Sequence, residues 1–336
     1  MTIRAKAPLR LSFAGGGTDV PPFPAEEGGA VLSTTMDTYA YGSLTPREDS
    51  RACIRSIDLG LRLDLDLRDE LDQEGELSLV KAAVRRLADG HDEGFDLTVR
   101  SAVPPGSGLG SSSTLMVVLV ALLGRHFNLP LDEYETARLA HEIERSDLGI
   151  SGGLQDHYAA VFGGFNFMQF ASDHVVVNPL RIRDEIADEL QMSLFLCFTG
   201  KTRNSAHIID DQTSRVTGQS METLSALRRQ KEIAEQMKRQ LLLGRLTEFG
   251  WSLDEAWKEK QRMSPLIATE DILRAYDIAV RGGALGGKVT GAGGGGHIMF
   301  FCDFDRKYQV MQSLVDEGYT VSEIAFDASG VRTWKA

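Results

Sequence analysis

Hydrophobic and polar positions alternate in the first hundred residues, and this period of two predicts β-strands. Leucines occupy positions 61, 63, 65 and 67 between polar residues, as in a strand with one buried face. Shorter runs of the same kind over 7–13, 31–35, 39–44 and 95–99 predict further strands. A short amphipathic pattern over 77–88 predicts a helix. The first third of the chain is therefore expected to be rich in strands.

Helical periodicity dominates after residue 110, with strands between the helices. Two helices, a hairpin and a buried strand are predicted over 112–127, 132–147, 164–177 and 194–198. Later helices are predicted over 205–213, 220–243, 246–261, 269–281 and 306–317, and strands over 297–302 and 320–326. This order lacks a regular βαβ alternation, which favours the α+β class. A length of 336 residues predicts two domains, which we expect at 1–180 and 181–336.

Composition and charge indicate which binding partners and which cellular compartment to expect for this protein. The net charge of −12 argues against nucleic acid and anionic membranes as partners, since both select basic surfaces. Cys197 and Cys302 lie in apolar runs and the total of three cysteines is odd, which predicts reduced, buried thiols. The longest apolar run, residues 115–123, is too short to span a bilayer. These features, with no apolar signal segment after Met1, predict a cytoplasmic protein.

A glycine-rich loop between a predicted strand and a predicted helix is the strongest candidate for chemistry. Residues 103–114 carry glycines at 106, 108 and 110, followed by four hydroxyl residues. Such a loop can bring backbone N–H groups close to an anion, and the helix start adds a positive dipole end. The P-loop motif fails because Ser111 replaces its lysine, and the dinucleotide motif fails at Ser113. An anion cradle and a simple turn before a Ser-capped helix both remain open.

A second glycine cluster, residues 291–296, formally matches the G-x-G-x-x-G pattern. A dinucleotide site requires a strand before this pattern and a helix after it, whereas here a strand is predicted at 297–302. The remaining interpretations are a plain bend and a loop that lies against a ligand. Because ordering so many glycines costs backbone entropy, the ligand interpretation is favoured.

Three carboxylates cluster at the C-terminal end of a predicted helix, where negative charge is unfavourable. The helix predicted to end at 147 carries Glu142, Glu144 and Asp147 in its last turns, next to the negative end of the helix dipole. Either the end is solvated, with Arg145 as partial compensation, or a bound cation supplies the missing charge. Asp156 follows two glycines and is either a helix N-cap or a base; the local sequence alone favours the cap.

An arginine lies on the predicted N-terminal strand, shortly before a run of three glycines. Arg10 precedes glycines 15–17, and Thr18 and Asp19 follow them. Arg10 is either an exposed edge charge or a cation for a phosphate. Asp19 is either a turn residue or a carboxylate for sugar hydroxyls.

Three segments in this order resemble the GHMP kinase superfamily, over nearly the whole chain. They are residues 8–19, 105–113 and 288–295. Residues 13–23 and 199–203 are most similar to the bacterial D-glycero-D-manno-heptose 7-phosphate kinases. The resemblance implies an α+β fold with an N-terminal domain like ribosomal protein S5 domain 2. It also implies a C-terminal ferredoxin-like α/β sandwich with added helices, and an active site in the cleft between the domains.

The resemblance also implies ATP and Mg²⁺ and assigns roles in phosphoryl transfer. It implies an ATP-binding loop of Pro105, Gly106, Ser107, Gly108, Leu109, Gly110, Ser111, Ser112 and Ser113. Ser112 and Glu144 match the family's metal ligands, and Arg10 matches its basic residue near the transferred phosphoryl. Asp156 falls where many members carry the catalytic base, one residue farther from Glu144 than in mevalonate kinases.

The implied substrate is D-glycero-D-manno-heptose 7-phosphate, phosphorylated on its anomeric hydroxyl, in a monomer or homodimer. The implied substrate-binding residues are Gly17, Thr18, Asp19, Gly153, Gly293 and Gly294. Lys201 and Arg203 are candidates for the sugar's own phosphate, or otherwise a solvated pair at a helix start. The alternatives are a kinase of free galactose, fucose or mevalonate, and a non-catalytic regulator that binds ATP and sugar.

Overall fold

The computed structural model describes residues 1–69, 75–104, 106–200 and 206–336. Its strands are β1 (Ile3–Ala14), β2 (Gly29–Pro46), β3 (Arg51–Ser56), β4 (Leu61–Asp66), β5 (Phe95–Ser101), β6 (Asn166–Phe170), β7 (Val175–Pro179), β8 (Leu194–Phe198), β9 (Ala284–Val289), β10 (His297–Cys302), β11 (Thr320–Glu323), β12 (Phe326–Asp327) and β13 (Arg332–Lys335). Its helices are α1 (Phe23–Glu27), α2 (Ser78–Leu87), α3 (Ser111–His126), α4 (Glu133–Glu142), α5 (Gln155–Phe162), α6 (Asp184–Ser193), α7 (Ala206–Thr217), α8 (Met221–Leu243), α9 (Leu246–Met263), α10 (Glu270–Gly282) and α11 (Phe304–Asp316). A π-helical turn, Ile143–Asp147, continues α4.

The larger sheet is built around the long strand β2. Its main strand order is β13-β1-β2-β5-β3-β4, while β6 and β12 also pair with β2, and β7 pairs with β6. Pairing is antiparallel except between β3 and β5. Because β12 and β13 belong to this sheet, the end of the chain returns to the N-terminal half.

The smaller sheet has the strand order β11-β8-β10-β9 and is antiparallel throughout. Its central strands are apolar and buried, as expected for strands covered on both faces. Helices α10 and α11 contact this sheet and each other. Lys288 of β9 donates from Nζ to the carbonyl oxygen of Ser12 in β1 at 2.8 Å, so β9 contacts the larger sheet.

Strand β1 lies between two hydrophobic clusters, which explains how it reaches the centre of the molecule. Ala5 and Ala7 pack in a cluster with helices α2 to α5, whereas Leu9, Leu11 and Phe13 pack in a second cluster with α8 and α9. The changeover coincides with a register shift in the β1–β2 pairing between Pro8 and Arg10. Such irregularities re-aim side chains, often beside active sites.

The α+β class and most predicted elements are confirmed, with differences that have local causes. The predicted strands at 31–35 and 39–44 form one long strand, β2. The helix predicted to end at 147 leaves α-helical geometry at Ile143 and finishes as the π turn. Residues 284–289 form β9, which their glycines concealed from the sequence pattern.

Three further expectations concern the whole chain. Cys197 and Cys302 are free and buried, as predicted. Among the described residues, no helix combines the length and apolar character needed to cross a bilayer. The domain division at residue 180 stays a prediction, and helix α6 begins four residues later, at Asp184.

Candidate active site

A cleft of about 490 Å³ lies between the two halves of the chain, within the size range of ligand sites. The N-terminal half contributes β1, the first glycine loop and the starts of α3 and α5. The C-terminal half contributes α7, α9, β9 and the second glycine loop. The chain segments singled out by motif are therefore brought to one place.

Arg10 and Asp156 form a bidentate ion pair in this cleft. The Arg10 guanidinium donates from Nε to Asp156 Oδ1 at 2.7 Å and from Nη2 to Oδ2 at 3.1 Å. Its Nη1 donates to the carbonyl oxygens of Gly108 and Thr290, at 2.7 and 3.0 Å. Arg10 is thus buried and connects both glycine loops to the carboxylate, so the edge-charge interpretation is wrong.

Helix α5 presents the Asp156 carboxylate to the cleft. The N-cap residue of α5 is Leu154, without a side-chain cap, and Asp156 is the second helical residue. The N-cap interpretation of Asp156 is therefore wrong. The Asp156 side chain keeps 19% of its surface exposed although Arg10 holds it, so one side of the carboxylate remains accessible from the cleft.

The first glycine loop leads directly into α3. Glycines 106, 108 and 110 all have positive φ, between 76° and 81°, which favours glycine over other residues. Gly110 is the N-cap position of α3, and no serine side chain caps the helix. The first N–H groups of a helix have no partner within the helix, so this end of α3 is suited to an anion.

The residues of this loop do not all face the cleft. Gly106, Gly108, Gly110, Ser111, Ser112 and Ser113 line it. Leu109 packs in the core, and Ser107 is wholly buried. Pro105 lies outside the described residues.

The second glycine loop packs on the first. A Cβ on Gly291 would lie 2.7 Å from Gly108 Cα, and a Cβ on Gly296 would lie 2.6 Å from the carbonyl oxygen of Ser107. His297 donates its backbone N–H to that same carbonyl oxygen at 3.1 Å. Glycine at positions 291 and 296 is therefore required for the contact between the two loops, whether or not a ligand also lies against them.

Glu144 lies in the π turn and is held by an extensive hydrogen-bond network. Its carboxylate accepts from Ser112 Oγ at 2.6 Å and from Ser113 Oγ at 2.7 Å. His157 Nε2 lies 2.6 Å from Glu144 Oε2, and Arg145 lies 3.5 Å from the same oxygen. Burial alone would raise the pKa of Glu144, but His157, Arg145 and Ser112 lower that pKa to about 2. Glu144 is thus a buried, ionised carboxylate beside the start of α3.

The other carboxylates of this helix end are neutralised by arginines. Arg138 and Arg86 contact Glu142 at 2.6 and 3.5 Å, and Arg86 also contacts Asp147 at 3.5 Å. The unfavourable helix end is therefore compensated by the protein at Glu142 and Asp147.

Thr18 and Asp19 shape the turn after β1. The Thr18 hydroxyl is buried and lies 2.7 Å from the carbonyl oxygen of Gly15. Asp19 lines the cleft, yet its carboxylate accepts from the Gly17 N–H and from both the backbone and side-chain N–H groups of Gln155, each at 3.0 Å. Burial raises the pKa of Asp19. A Cβ on Gly153 would collide with Asp19 Oδ2.

Some of the remaining candidate residues line the cleft, and others do not. Gly17, Gly153 and Gly293 line the cleft. Gly294 is not among the lining residues, and its N–H donates to the carbonyl oxygen of Ile267 at 2.9 Å. Lys201 and Arg203 lie outside the described residues.

Three residues in or beside the cleft received no role in the sequence analysis, although Lys288 begins the motif segment 288–295. His157 follows Asp156 on α5 and contacts Glu144. Lys260 of α9 and Lys288 of β9 line the cleft and are almost wholly buried. Lys260 lies three residues after Trp257 and three before Met263, within the buried stripe of α9. A charged residue in an apolar stripe was the available signal.

Together these groups can bind a polyphosphate and accept a proton beside it. The two loops and the start of α3 offer backbone N–H groups, and Arg10, Lys260 and Lys288 offer positive charge. Asp156 offers a carboxylate beside Arg10. That combination suits phosphoryl transfer, which depends mainly on positioning and charge neutralisation.

Comparison with known proteins is consistent with this geometry. The N-terminal domain of the GHMP kinases matches residues 78–164, and the C-terminal domain of the GHMP kinases matches residues 227–320. The chain is 38% identical to a D-glycero-alpha-D-manno-heptose 7-phosphate kinase of Campylobacter jejuni, over 99% of both sequences.

Two solved structures of similar sequence cover almost the whole chain. A D-glycero-D-manno-heptose 1-phosphate kinase from Bacteroides thetaiotaomicron has a TM-score of 0.84 and 37% identity, over 99% of both chains. A putative sugar kinase from Campylobacter jejuni has a TM-score of 0.81 and 38% identity, covering 99% of this chain and 98% of the other. With these matches the expected two-domain fold is confirmed, and the chain belongs to the GHMP kinase family.

Proposed function

We propose that this protein transfers the terminal phosphoryl group of ATP to the anomeric hydroxyl of D-glycero-D-manno-heptose 7-phosphate, giving the 1,7-bisphosphate. The observation that carries the proposal is the Arg10–Asp156 pair, which is partly open to the cleft and touches the first glycine loop. The full-length likeness to a heptose 7-phosphate kinase supports the choice of acceptor.

Asp156 acts as the general base in this proposal. A carboxylate in hydrogen-bonding reach of a sugar hydroxyl accepts its proton as the oxygen attacks the terminal phosphorus. Arg10 orients the Asp156 carboxylate by its two-point contact and adds positive charge next to the loop. Backbone N–H groups of residues 106–113 position the ATP phosphates.

Ser112 and Glu144 would hold Mg²⁺. Mg²⁺ in nucleotide sites takes one or two protein oxygens together with phosphate oxygens and water, and Ser112 Oγ and Glu144 Oε1 lie 2.6 Å apart beside the cleft. The ionised state of Glu144 suits this role. A metal held there would supply charge neutralisation for the phosphates of ATP. The chain's own residues hold Glu144 in place through His157 and Ser113.

The acceptor sugar lies near residues 17–19 in this proposal, with Gly153 leaving room beside Asp19. Lys201 and Arg203 remain the proposed partners of its 7-phosphate. We further propose a cytoplasmic location, a monomeric or homodimeric state and a domain boundary near residue 180.

The name of one relative of solved structure suggests a second candidate acceptor. The Bacteroides thetaiotaomicron relative carries the name of a heptose 1-phosphate kinase, which puts the existing phosphate at the other end of the sugar. The acceptor hydroxyl would then differ, while the base and the ATP loop would remain the same.

A panel of acceptors tests the proposal. ADP release is measured with heptose 7-phosphate, heptose 1-phosphate, free heptose, galactose, fucose and mevalonate. We expect kcat/KM to be at least about 100-fold higher for heptose 7-phosphate than for the unphosphorylated acceptors, since a site built for a phosphate rejects ligands that lack one. A preference for heptose 1-phosphate or for a free sugar would overturn the assigned acceptor. ATP binding without turnover of any acceptor would favour a regulator.

A further inference from the structure

Two buried lysines in the cleft have no role in the mechanism above. Lys260 comes from helix α9 and is 5% exposed, and Lys288 comes from strand β9 and is 2% exposed. Both line the cleft together with Arg10 and residues of the two glycine loops. Lysine is rarely buried to this degree unless it is paired.

Neither lysine forms an ion pair within 4 Å among the residues that the structure describes. Lys288 Nζ donates to the carbonyl oxygen of Ser12 at 2.8 Å, which is a neutral partner. The Lys260 side-chain nitrogen, Nζ, has no hydrogen-bond partner within the same described ranges. The two ammonium groups therefore depend on more distant charges for compensation.

The nearby carboxylates are already engaged by other groups. Asp156 is held by Arg10, and Glu144 by Ser112, Ser113 and His157. Asp19 attracts Lys260 electrostatically, but its oxygens accept hydrogen bonds from Gly17 and Gln155. The protein thus leaves these cations available to a ligand.

The cations repel one another. Burial lowers the pKa of Lys260 to about 8, with the charge of Asp19 opposing this shift and the charge of Arg10 adding to it. Burial also lowers the pKa of Lys288 well below its ordinary value, and the charges of Lys260 and then Arg10 add to this effect. A buried charge without a counter-charge is costly, so an anion that entered among the three groups would relieve the cost.

We infer that Lys260 and Lys288, together with Arg10, form a phosphate-binding subsite in the floor of the cleft. The inference deepens the proposed function and rests on it only for the source of the phosphate. That phosphate is either the terminal group of ATP or the group that the acceptor carries. Arg10 contacts both Asp156 and Gly108, so the subsite adjoins the proposed base and the ATP loop.

Calorimetric titration of Lys260→Met tests the subsite. Methionine approximates the length of the lysine stem, and its apolar character suits the buried stripe of α9. The matched control is Lys258→Met, two residues earlier on α9, where the lysine is exposed and pairs with Asp254 at 2.6 Å. Each protein is titrated with inorganic phosphate, with ATP and with heptose 7-phosphate.

We expect Lys260→Met to bind inorganic phosphate at least about 10-fold more weakly than Lys258→Met. A parallel loss in the ATP titration assigns the subsite to the terminal phosphoryl, and a loss in the heptose 7-phosphate titration assigns it to the acceptor. Affinities of Lys260→Met within 2-fold of the control in all three titrations would overturn the inference.

Stability measurements separate a binding role from a structural one. Because an uncompensated buried charge is removed, Lys260→Met should unfold at a temperature no lower than that of Lys258→Met. A large loss of stability with unchanged phosphate affinity would show that Lys260 is structural. Lys288→Met provides a second test, with the same 10-fold criterion for phosphate. These binding results do not depend on which sugar is turned over, so failure of the proposed heptose activity would be recognised separately.

Discussion

At the scale of single residues, the two carboxylates of the site, Asp156 and Glu144, differ in their surroundings. Asp156 keeps 19% of its side chain exposed and meets one arginine, whereas Glu144 is 1% exposed and meets two serines and a histidine. The open carboxylate is suited to exchange a proton with a ligand. The enclosed one is suited to hold a fixed charge.

Asp156→Asn tests the role of the open carboxylate. The amide retains the size of the side chain but cannot act as a base, so kcat should fall by about 10²–10⁴-fold. Steady-state kinetics measures this, and a thermal melt measures separately the loss of stability expected when the buried Arg10 loses its carboxylate partner. Asp147→Asn, at the half-buried helix end beside Arg86, is the control. Near-normal turnover by Asp156→Asn would remove the base from the mechanism.

His141 should make the protein sensitive to acid. Burial, followed by the charges of His157 and Arg145, lowers the pKa of His141 to about 3. Because the folded state resists protonation of His141, its contribution to stability is present above about pH 6.5 and is lost as pH falls toward 3. His141→Leu should therefore flatten the pH dependence of unfolding over this range, by about 1–3 kcal/mol.

Denaturant unfolding at several pH values measures that effect. His174→Leu is the control, since His174 is exposed and pairs with Asp173 at its surface. Parallel pH profiles for the wild type and His141→Leu would show that His141 is not protonated on unfolding.

Arg10, Ser112, Glu144 and Asp156 could be singled out from the sequence because they stand in or beside recognisable motifs. His157 could not, since its relation to Glu144 arises only when α5 packs beside α4. Lys260 and Lys288 come from segments far along the chain, and their burial depends on the packing of α9 and β9. The N-cap interpretation of Asp156 could be excluded only after the structure placed the N-cap of α5 at Leu154.

At the scale of elements, the two glycine loops form one structure. The backbone of His297 and the loop at Ser107 are joined by hydrogen bonds, and Gly291 lies against Gly108. Each loop therefore limits the position of the other. The glycines serve this contact as well as the proposed nucleotide site.

Gly296→Ala tests the contact between the loops. Gly296 has a φ of +82°, and an added Cβ would lie 2.6 Å from the Ser107 carbonyl oxygen. Gly318 has a similar φ of +87° but open space around it, so Gly318→Ala carries the backbone strain without the clash. We expect Gly296→Ala to lose about 1–3 kcal/mol more stability than Gly318→Ala.

Denaturant unfolding compares the two alanine variants, and titration with ATP compares their affinities. ATP affinity should fall for Gly296→Ala alone, because the first loop must shift to make room. Equal stability and equal ATP affinity in both variants would show that the loops do not constrain each other.

Periodicity predicted the long elements better than the short ones. Helices α8 and α10 begin within one residue of their expected starts, and both have polar N-caps, Ser220 and Thr269. Strand β9 was concealed because Gly286 and Gly287 carry no side-chain pattern, although close packing against α9 and β10 requires them. The π turn at Ile143–Asp147 leaves no period to detect.

At the scale of the molecule, the last two strands of the chain pair with strands of its N-terminal half. Strand β13 pairs with β1, with Ile3 opposite Lys335, and Arg125 of α3 donates to the Thr333 carbonyl oxygen at 2.8 Å. The larger sheet is therefore complete only when the last residues are present. No sequence pattern indicated that the final strands return to the first sheet, because strand pairing over such a separation is a tertiary property.

Deletion of residues 331–336 tests this closure. The shortened protein loses the β13 pairing and exposes the edge of β1, so its free energy of unfolding should fall by about 1–3 kcal/mol. Denaturant unfolding measures the loss. The double variant Arg332→Ala and Lys335→Ala, which retains the backbone pairing, is the control. An unchanged unfolding midpoint in the shortened protein would show that β13 adds nothing to the sheet.

The most direct test of the account is the position of the new phosphate in the product. The protein is incubated with ATP, Mg²⁺ and D-glycero-D-manno-heptose 7-phosphate, and the product is examined by ³¹P and ¹H NMR. Phosphorylation directed by Asp156 predicts a second phosphorus signal coupled to the anomeric proton, with the original 7-phosphate retained. A product phosphorylated at any other carbon, or ADP release without a new sugar phosphate, would contradict the account.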